Sequence, residues 1–373
     1  MIRPGINFQF FGGDKMKRST IWMAIMALTL LATIPGHVHA QLGKVCLATT
    51  GVLKDHGFNQ LAWAGMLDAR KAGLVSEIVY REPDPVVNTS AQQNLKAFIK
   101  EGNCDLIIAG GFELGNATIK AAKSYPSQKI AVVDFDPSSA GGNLPNLMGL
   151  AFQSDQAAFL AGYVGAAVSK TGVLGTFGGK SVTPVVQFMD GFDMGMRYFN
   201  KRHSKHISLK GWSPRKPGGL FTGSFESIPA GYRMASRLYQ QGADIVFPVA
   251  GMSSYGAAYF AMVSPKRSDL VIGVDVDFHE VLKDTPGAKD VLLTSVLKKV
   301  DVAVKETISL TRRGKFNGGL YVGTLENGGV GIAPFYELAE RVRDVNPRMS
   351  MELKQITQGI IDGSISTRRQ NPL

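Results

Sequence analysis

The segment Gly242–Asp277 repeats, in outline, a segment lying about 140 residues earlier. One reads GADIVFPVAGMSSYG and then VIGVDVD; the other reads GNCDLIIAGGFELG (Gly102–Gly115) and then IAVVDFD (Ile130–Asp136). Each copy runs from glycine through aspartate, an apolar run, a glycine turn and a helical stretch to a second apolar run ending in Asp-x-Asp. Unbroken apolar runs of this length, bounded by turn signals, mark strands covered on both faces. Repetition of such a unit predicts an α/β chain of two lobes of one design, each a doubly wound parallel sheet. Ligands of such sheets bind beyond the carboxyl ends of the strands. Both glycine turns and both Asp-x-Asp ends are therefore expected at one shared cleft.

The first 40 residues stand apart from this pattern. MKRST, the apolar run IWMAIMALTLLATIP and the small-residue end HVHA form a basic region, a hydrophobic region and a cleavage site at Ala40. The apolar run is short for a membrane span, which needs roughly 20 residues. Residues 1–40 are thus expected to be upstream sequence plus a cleaved signal peptide, leaving a periplasmic protein. No cysteine sits at the expected cleavage site, so no lipid-anchored amino terminus is indicated. The two cysteines, Cys46 and Cys104, lie at two apolar strands expected to be neighbours. Export permits a disulfide between them, and two buried thiols are the alternative.

Net charge is +11, and +8 without the leader. Part of the excess lies in KRHSKHISLKGWSPRK (Lys201–Lys216), a glycine- and proline-broken stretch without interleaved aromatics. It lacks the recognition element a nucleic-acid binder needs and reads as a solvated loop or a weak attraction to a membrane surface. Three further motifs carry no chemistry. GTFGGKS (Gly175–Ser181) has the wrong spacing for a phosphate loop. GMSSYG has the wrong spacing for a nucleophile elbow. His203 and His206 lack the further ligands of a zinc site and read as exposed. The chain is expected to be a binding protein, not an enzyme, with no cofactor.

The βα alternation assigns a first lobe to 42–149 plus 276–315 and a second to 150–275 plus 316–373. Several crossovers between them form a hinge. Side chains suited to a small polar ligand gather at the strand ends. Phe58 and Asn59 follow the first strand, Asp134 and Asp136 end another, Phe225 follows Leu220–Thr222, Asp275 ends VIGVD, and Lys298 closes TSVLK. Aromatic faces stack flat rings, carboxylates accept from hydroxyls or ring N–H groups, and a buried lysine offsets their charge. The bland alternatives are core phenylalanines, helix-capping aspartates and an exposed Lys298–Asp301 pair.

KDHGFNQLAWAGM, AFQSDQAAFLAGYVGA, VVQFMDGFDMGMRYFN, TGSFES, GADIVFPVAG, VIGVDVD, LTSVLKKVDVAV and LENGGVGIAP together resemble the basic membrane protein (BMP) family. This family comprises the substrate-binding components of nucleoside-importing ABC transporters. The resemblance implies a type I periplasmic-binding-protein fold closing on a purine nucleoside or related nucleobase compound, monomeric, and delivering it to a membrane permease. It implies a base held between Phe58 and Phe225, with Asn59 and Asp134 on the base and Gly251, Asp275 and Lys298 on the ribose. Phe221, inside its strand, is the weaker choice for the second ring. Two departures stand out. Thr49 takes the place of an aspartate common at the end of the first strand, which removes an acceptor for ring N–H groups. Met252 takes the place of a glycine in the turn after Gly251. The alternatives are a sugar receptor of the same fold and an exported nucleoside-processing enzyme.

Overall fold

The computed structural model describes residues 40–142, 144–213, 218–266 and 269–368. The expected leader therefore falls, apart from Ala40, outside the described residues. The chain opens with β1 (Leu42–Thr49), α1 (Phe58–Lys71), β2 (Val75–Arg81), α2 (Ala91–Glu101), β3 (Leu106–Gly110), α3 (Gly115–Ser124), β4 (Ile130–Val133) and β5 (Leu147–Phe152). It continues through α4 (Ser154–Val168), β6 (Val173–Gly178), α5 (Thr183–His203), β7 (Ser208–Lys210), α6 (Ile228–Gln240), β8 (Ile245–Val249), α7 (Tyr255–Val263), β9 (Leu270–Asp275), α8 (Phe278–Val281) and β10 (Leu292–Lys298). The remainder forms α9 (Val300–Arg312), β11 (Gly319–Gly323), β12 (Val330–Ile332), α10 (Ala339–Val345) and α11 (Met349–Ile361).

Local sequence explains the punctuation. Ser90 and Gln93 build a reciprocal capping box on α2, which then stops at Gly102 in the left-handed conformation. Pro229 occupies the first turn of α6, whose Ser227 side chain accepts from the Ala230 N–H. The strands β3, β4 and β8 are buried along their whole length, as helices on both faces require.

Two six-stranded sheets result, ordered β11-β5-β4-β3-β1-β2 and β12-β10-β9-β8-β6-β7. Superposing these orders pairs β3 with β8, β4 with β9 and β5 with β10. The internal echo in the sequence is thus a structural equivalence. Among the described residues every pairing of two of these strands is parallel except β10 with β12, at the edge of the second sheet. The chain passes between lobes after β5, after β10 and between β11 and β12.

Strand membership corrects the expected lobe boundaries. Leu292–Lys298, expected with the first lobe, lies beside β9, with Leu297 opposite Asp275. Gly319–Gly323, expected with the second lobe, lies beside β5 in the first sheet. Hydrophobic pattern identifies a buried strand without saying which of two similar sheets it joins. The helix α9 does pack on α1 of the first lobe. Two smaller corrections concern the second lobe. Leu220–Thr222 makes only a single bridge, Phe221 to Gly178, and β7 lies within the stretch read as a solvated loop. His203 is not exposed either: its Nε2 lies 2.8 Å from the Tyr163 hydroxyl and its ring stacks on Phe199.

Cys46 and Cys104 form a disulfide across β1 and the start of β3, closing a 58-residue separation. Both are buried against α2 and α3. Constraining a loop of that size in the unfolded chain stabilises by about 2–4 kcal/mol. Replacing both cysteines with alanine should lower unfolding stability by that amount, read from denaturant midpoints at unchanged slope.

Candidate functional site

Asp134 and Asp275 occupy equivalent places, immediately after β4 and at the end of β9. Both adopt positive φ, 59° and 63°. Non-glycine residues rarely hold that conformation, though aspartate tolerates it better than most, and such outliers gather at functional sites. The Asp-x-Asp motif divides its labour the same way in both lobes. Its second members cap the segments that follow: Asp136 accepts from Ser138 N–H and Asp277 from His279 N–H. The first members are left to face the space between the sheets.

Lys298 meets both. Its Nζ lies 2.8 Å from Asp134 Oδ2, across the cleft, and 3.7 Å from Asp275 Oδ1 on the adjacent strand. The residue is only 3% exposed. The rings of Phe188, Phe58 and Phe152 stand 5.0, 5.3 and 5.8 Å from the ammonium, within range of cation–π attraction. Burial disfavours the Lys298 charge, but the two carboxylates outweigh it and raise the pKa. The Lys298–Asp301 pair, weighed above as an alternative, is therefore not how this lysine is used.

Burial pushes the Asp275 carboxyl up to about 6; Lys298 pulls it back, and Asp134 and Asp55 push it higher. A folded-state pKa above the unfolded value means that stability from this group is full below about pH 4 and lost as pH rises through about 6. Asp275→Asn should therefore raise the thermal midpoint of the unliganded protein at pH 8, and the gain should shrink toward pH 5. Asparagine tolerates positive φ equally well, so the substitution adds no backbone strain. A midpoint shift independent of pH would contradict this assignment.

The loop between β1 and α1 is organised by Asp55, which is buried. Its carboxylate accepts from the backbone N–H groups of Gly57, Asn59 and Gln60 and from Asn59 Nδ2. These bonds hold the first turn of α1, so Phe58 and Asn59 stand at its start, facing the cavity. Thr49 does not join them. It is fully buried, its hydroxyl donates to the Gly51 carbonyl, and the next residue, Thr50, lines the cavity instead.

The opposite wall comes from the second lobe. A Cβ on Gly179 would overlap the Phe225 ring, so the bare backbone there is what seats this aromatic. Gly178 makes room for Phe221 in the same way. The Gly-Gly pair that mimics a phosphate loop thus positions two rings, of which only Phe225 reaches the cavity. Gly251, at φ 55°, lies against the Phe225 backbone and side chain, and Met252 adds its side chain beside it.

Together these elements enclose about 370 Å³, within the usual range for small-molecule sites. Seven of the eight residues singled out in the sequence line it: Phe58, Asn59, Asp134, Phe225, Gly251, Asp275 and Lys298. Phe188, Glu113, Lys180 and Glu226 line it too and were not anticipated. Periodicity fully accounted for Phe188 as a core residue of α5, leaving no spare signal. Two contacts tie the lobes at the rim: Lys180 Nζ to Glu113 Oε1 at 2.8 Å, and the Tyr255 hydroxyl to the His56 carbonyl at 2.6 Å.

The chain is similar to basic membrane protein A of Borreliella burgdorferi, 30% identical over 318 residues, covering 83% of this chain and 86% of that protein. It is also similar to the Lactococcus lactis ABC transporter nucleoside-binding protein BmpA, 27% identical over 342 residues, covering 85% and 92%. Among solved structures, an ABC transporter solute-binding protein from Aeropyrum pernix matches with a TM-score of 0.72 and 24% identity, covering 89% and 94%. That likeness shows the type I periplasmic-binding fold. Residues 43–366 match the Bmp model, whose description is ABC transporter substrate-binding protein, PnrA-like, and the chain belongs to that family.

Proposed function

We propose that this protein captures a purine nucleoside or related nucleobase compound outside the cytoplasmic membrane and hands it to a membrane permease. The observation that carries the reading is the convergence of two carboxylates from opposite lobes, Asp134 and Asp275, on the buried Lys298. Such a charge cluster ties lobe closure to the contents of the cleft. Vicinal hydroxyls donate well to carboxylates and accept from an ammonium, as a ribose requires. Phe58 and Phe225 supply apolar faces for a flat ring in the same cavity. The name of the Lactococcus relative supports a nucleoside over other small solutes.

The sugar is then held by Asp275, Lys298 and the backbone at Gly251, and the base lies between the two rings beside Asn59. Asp134, expected on the base, shares Lys298 with Asp275, which supports a contact with the sugar end as well. Ligand bridges the lobes and shifts the hinge equilibrium toward the closed form that the permease recognises. Cleavage after Ala40 releases the protein into the periplasm. No bond is made or broken in the ligand.

Titration calorimetry against nucleosides, free bases and pentoses tests the reading. Saturable binding of at least one purine nucleoside, with unchanged ligand recovered afterwards, is the expected result. Silence toward every purine and pyrimidine would overturn it. Binding of free pentoses regardless of the base would make the protein a sugar receptor, and release of free base would make it an enzyme.

A further inference from the structure

Beside the base end of the cavity, one carboxylate has no assigned work. Glu226 follows Phe225 and lines the cavity from the second lobe. Its Oε1 reaches across the cleft to within 2.6 Å of where a Cβ on Gly51 of the first lobe would stand. Among the described residues no hydrogen bond or ion pair holds this carboxylate, whereas Glu113, the other glutamate of the lining, is committed to Lys180.

The neighbouring groups are also polar. Asn59 Nδ2 lies 3.3 Å from the same Gly51 point. That nitrogen donates to Asp55 Oδ2, which settles which way the amide faces. The second proton on that nitrogen is uncommitted, and the amide oxygen, Oδ1, is buried without a partner in a residue only 7% exposed. Thr50 directs its hydroxyl proton to the Gly110 carbonyl and keeps its lone pairs free. The Thr49 hydroxyl is spent on Gly51 and lies outside the lining. A free carboxylate and a hydroxyl lone pair therefore border one stretch of the cavity. A ligand edge placed against Glu226 has to donate.

We infer that Glu226 reads the hydrogen-bonding edge of the base and gives this protein a preference for a base whose ring N–H stands beside an amino group. This rests on the nucleoside reading above and refines it. Guanine has that edge, its N1–H and 2-amino group lying parallel, and a carboxylate accepts both at once in a charge-assisted pair. Hypoxanthine offers the ring N–H alone. Adenine turns a ring-nitrogen lone pair toward the same place, where it meets a carboxylate oxygen with no proton between them. Glu226 thus supplies, from the opposite lobe, the acceptor that Thr49 does not provide at the end of β1.

The experiment compares guanosine, inosine and adenosine by calorimetry on the wild-type protein and on Glu226→Gln. The wild type should bind guanosine at least tenfold more tightly than adenosine, with inosine between them. The Glu226→Gln substitution should bring the guanosine-to-adenosine ratio to within threefold of one. The ratio is the decisive readout, because a structural role for Glu226 would weaken all three ligands alike and leave it standing. A wild type that binds guanosine and adenosine equally overturns the inference, as does an unchanged ratio in Glu226→Gln. Absence of binding by all three takes down the nucleoside reading and this refinement with it. Thermal midpoints of the two proteins, expected to agree closely at this exposed position, verify that the variant is folded.

Discussion

Replacing Lys298 with methionine should abolish high-affinity binding and open the unliganded molecule. The side chains of Lys298, Asp134 and Asp275 retain only 4%, 9% and 11% of their exposure. Removing the cation leaves two carboxylates in a poorly hydrated space with no counter-charge. Breaking a buried pair by deleting one partner costs about 3–5 kcal/mol, most of it the desolvation of what remains. The molecule has a cheaper escape than unfolding. Asp275 and Lys298 sit on adjacent strands of one sheet, whereas Asp134 belongs to the other. Parting the lobes rehydrates both carboxylates and keeps each sheet whole. Lys298→Met should therefore show a larger radius of gyration by X-ray scattering, a lowered thermal midpoint and at least a hundredfold loss of ligand affinity. Adding Asp275→Asn removes one of the two stranded charges and should restore part of the midpoint but none of the binding. A Lys298→Met protein that stays compact and binds normally would show that the ion cluster has no part in closure.

What the sequence disclosed about this site follows from its repetition. Asp134 and Asp275 were legible because the same apolar run and Asp-x-Asp recur in two places, and chance seldom duplicates a pattern of that length. The positions of Phe58, Asn59 and Lys298 followed from the rule that ligands sit beyond strand ends. Thr49 came from the resemblance instead, and it lies outside the cavity because a residue can end a strand and still point its hydroxyl back into the loop. The strand β10 was visible as a strand, but its sheet was not, since register between similar strands is decided by packing rather than by composition. Glu226 and Lys180 remained hidden for a different reason. Each belongs to one lobe and acquires its meaning only when the other lobe closes over it, and no spacing within either segment records that encounter.

Truncating either aromatic wall should weaken nucleosides severely while sparing any residual affinity for ribose alone. Stacking a base on an aromatic side chain contributes about 1–3 kcal/mol, so Phe58→Ala and Phe225→Ala should each lower nucleoside affinity roughly 5- to 150-fold. The two positions are built differently, and the difference is measurable. Phe58 is the first residue of α1, held by the Asp55 bonds to the surrounding turn, and its ring also faces the Lys298 ammonium. Its loss removes a stacking face and a cation–π partner together. Phe225 sits against the bare backbone of Gly179, with Lys180 Nζ 5.4 Å from its ring centre. A leucine at either position keeps most of the apolar volume but not the flat face, so Phe→Leu should recover the stability lost in Phe→Ala without recovering affinity. If leucine restores binding fully, the cavity is selecting for apolar bulk instead of a planar ring. The nucleobase would then be the wrong occupant of this cavity.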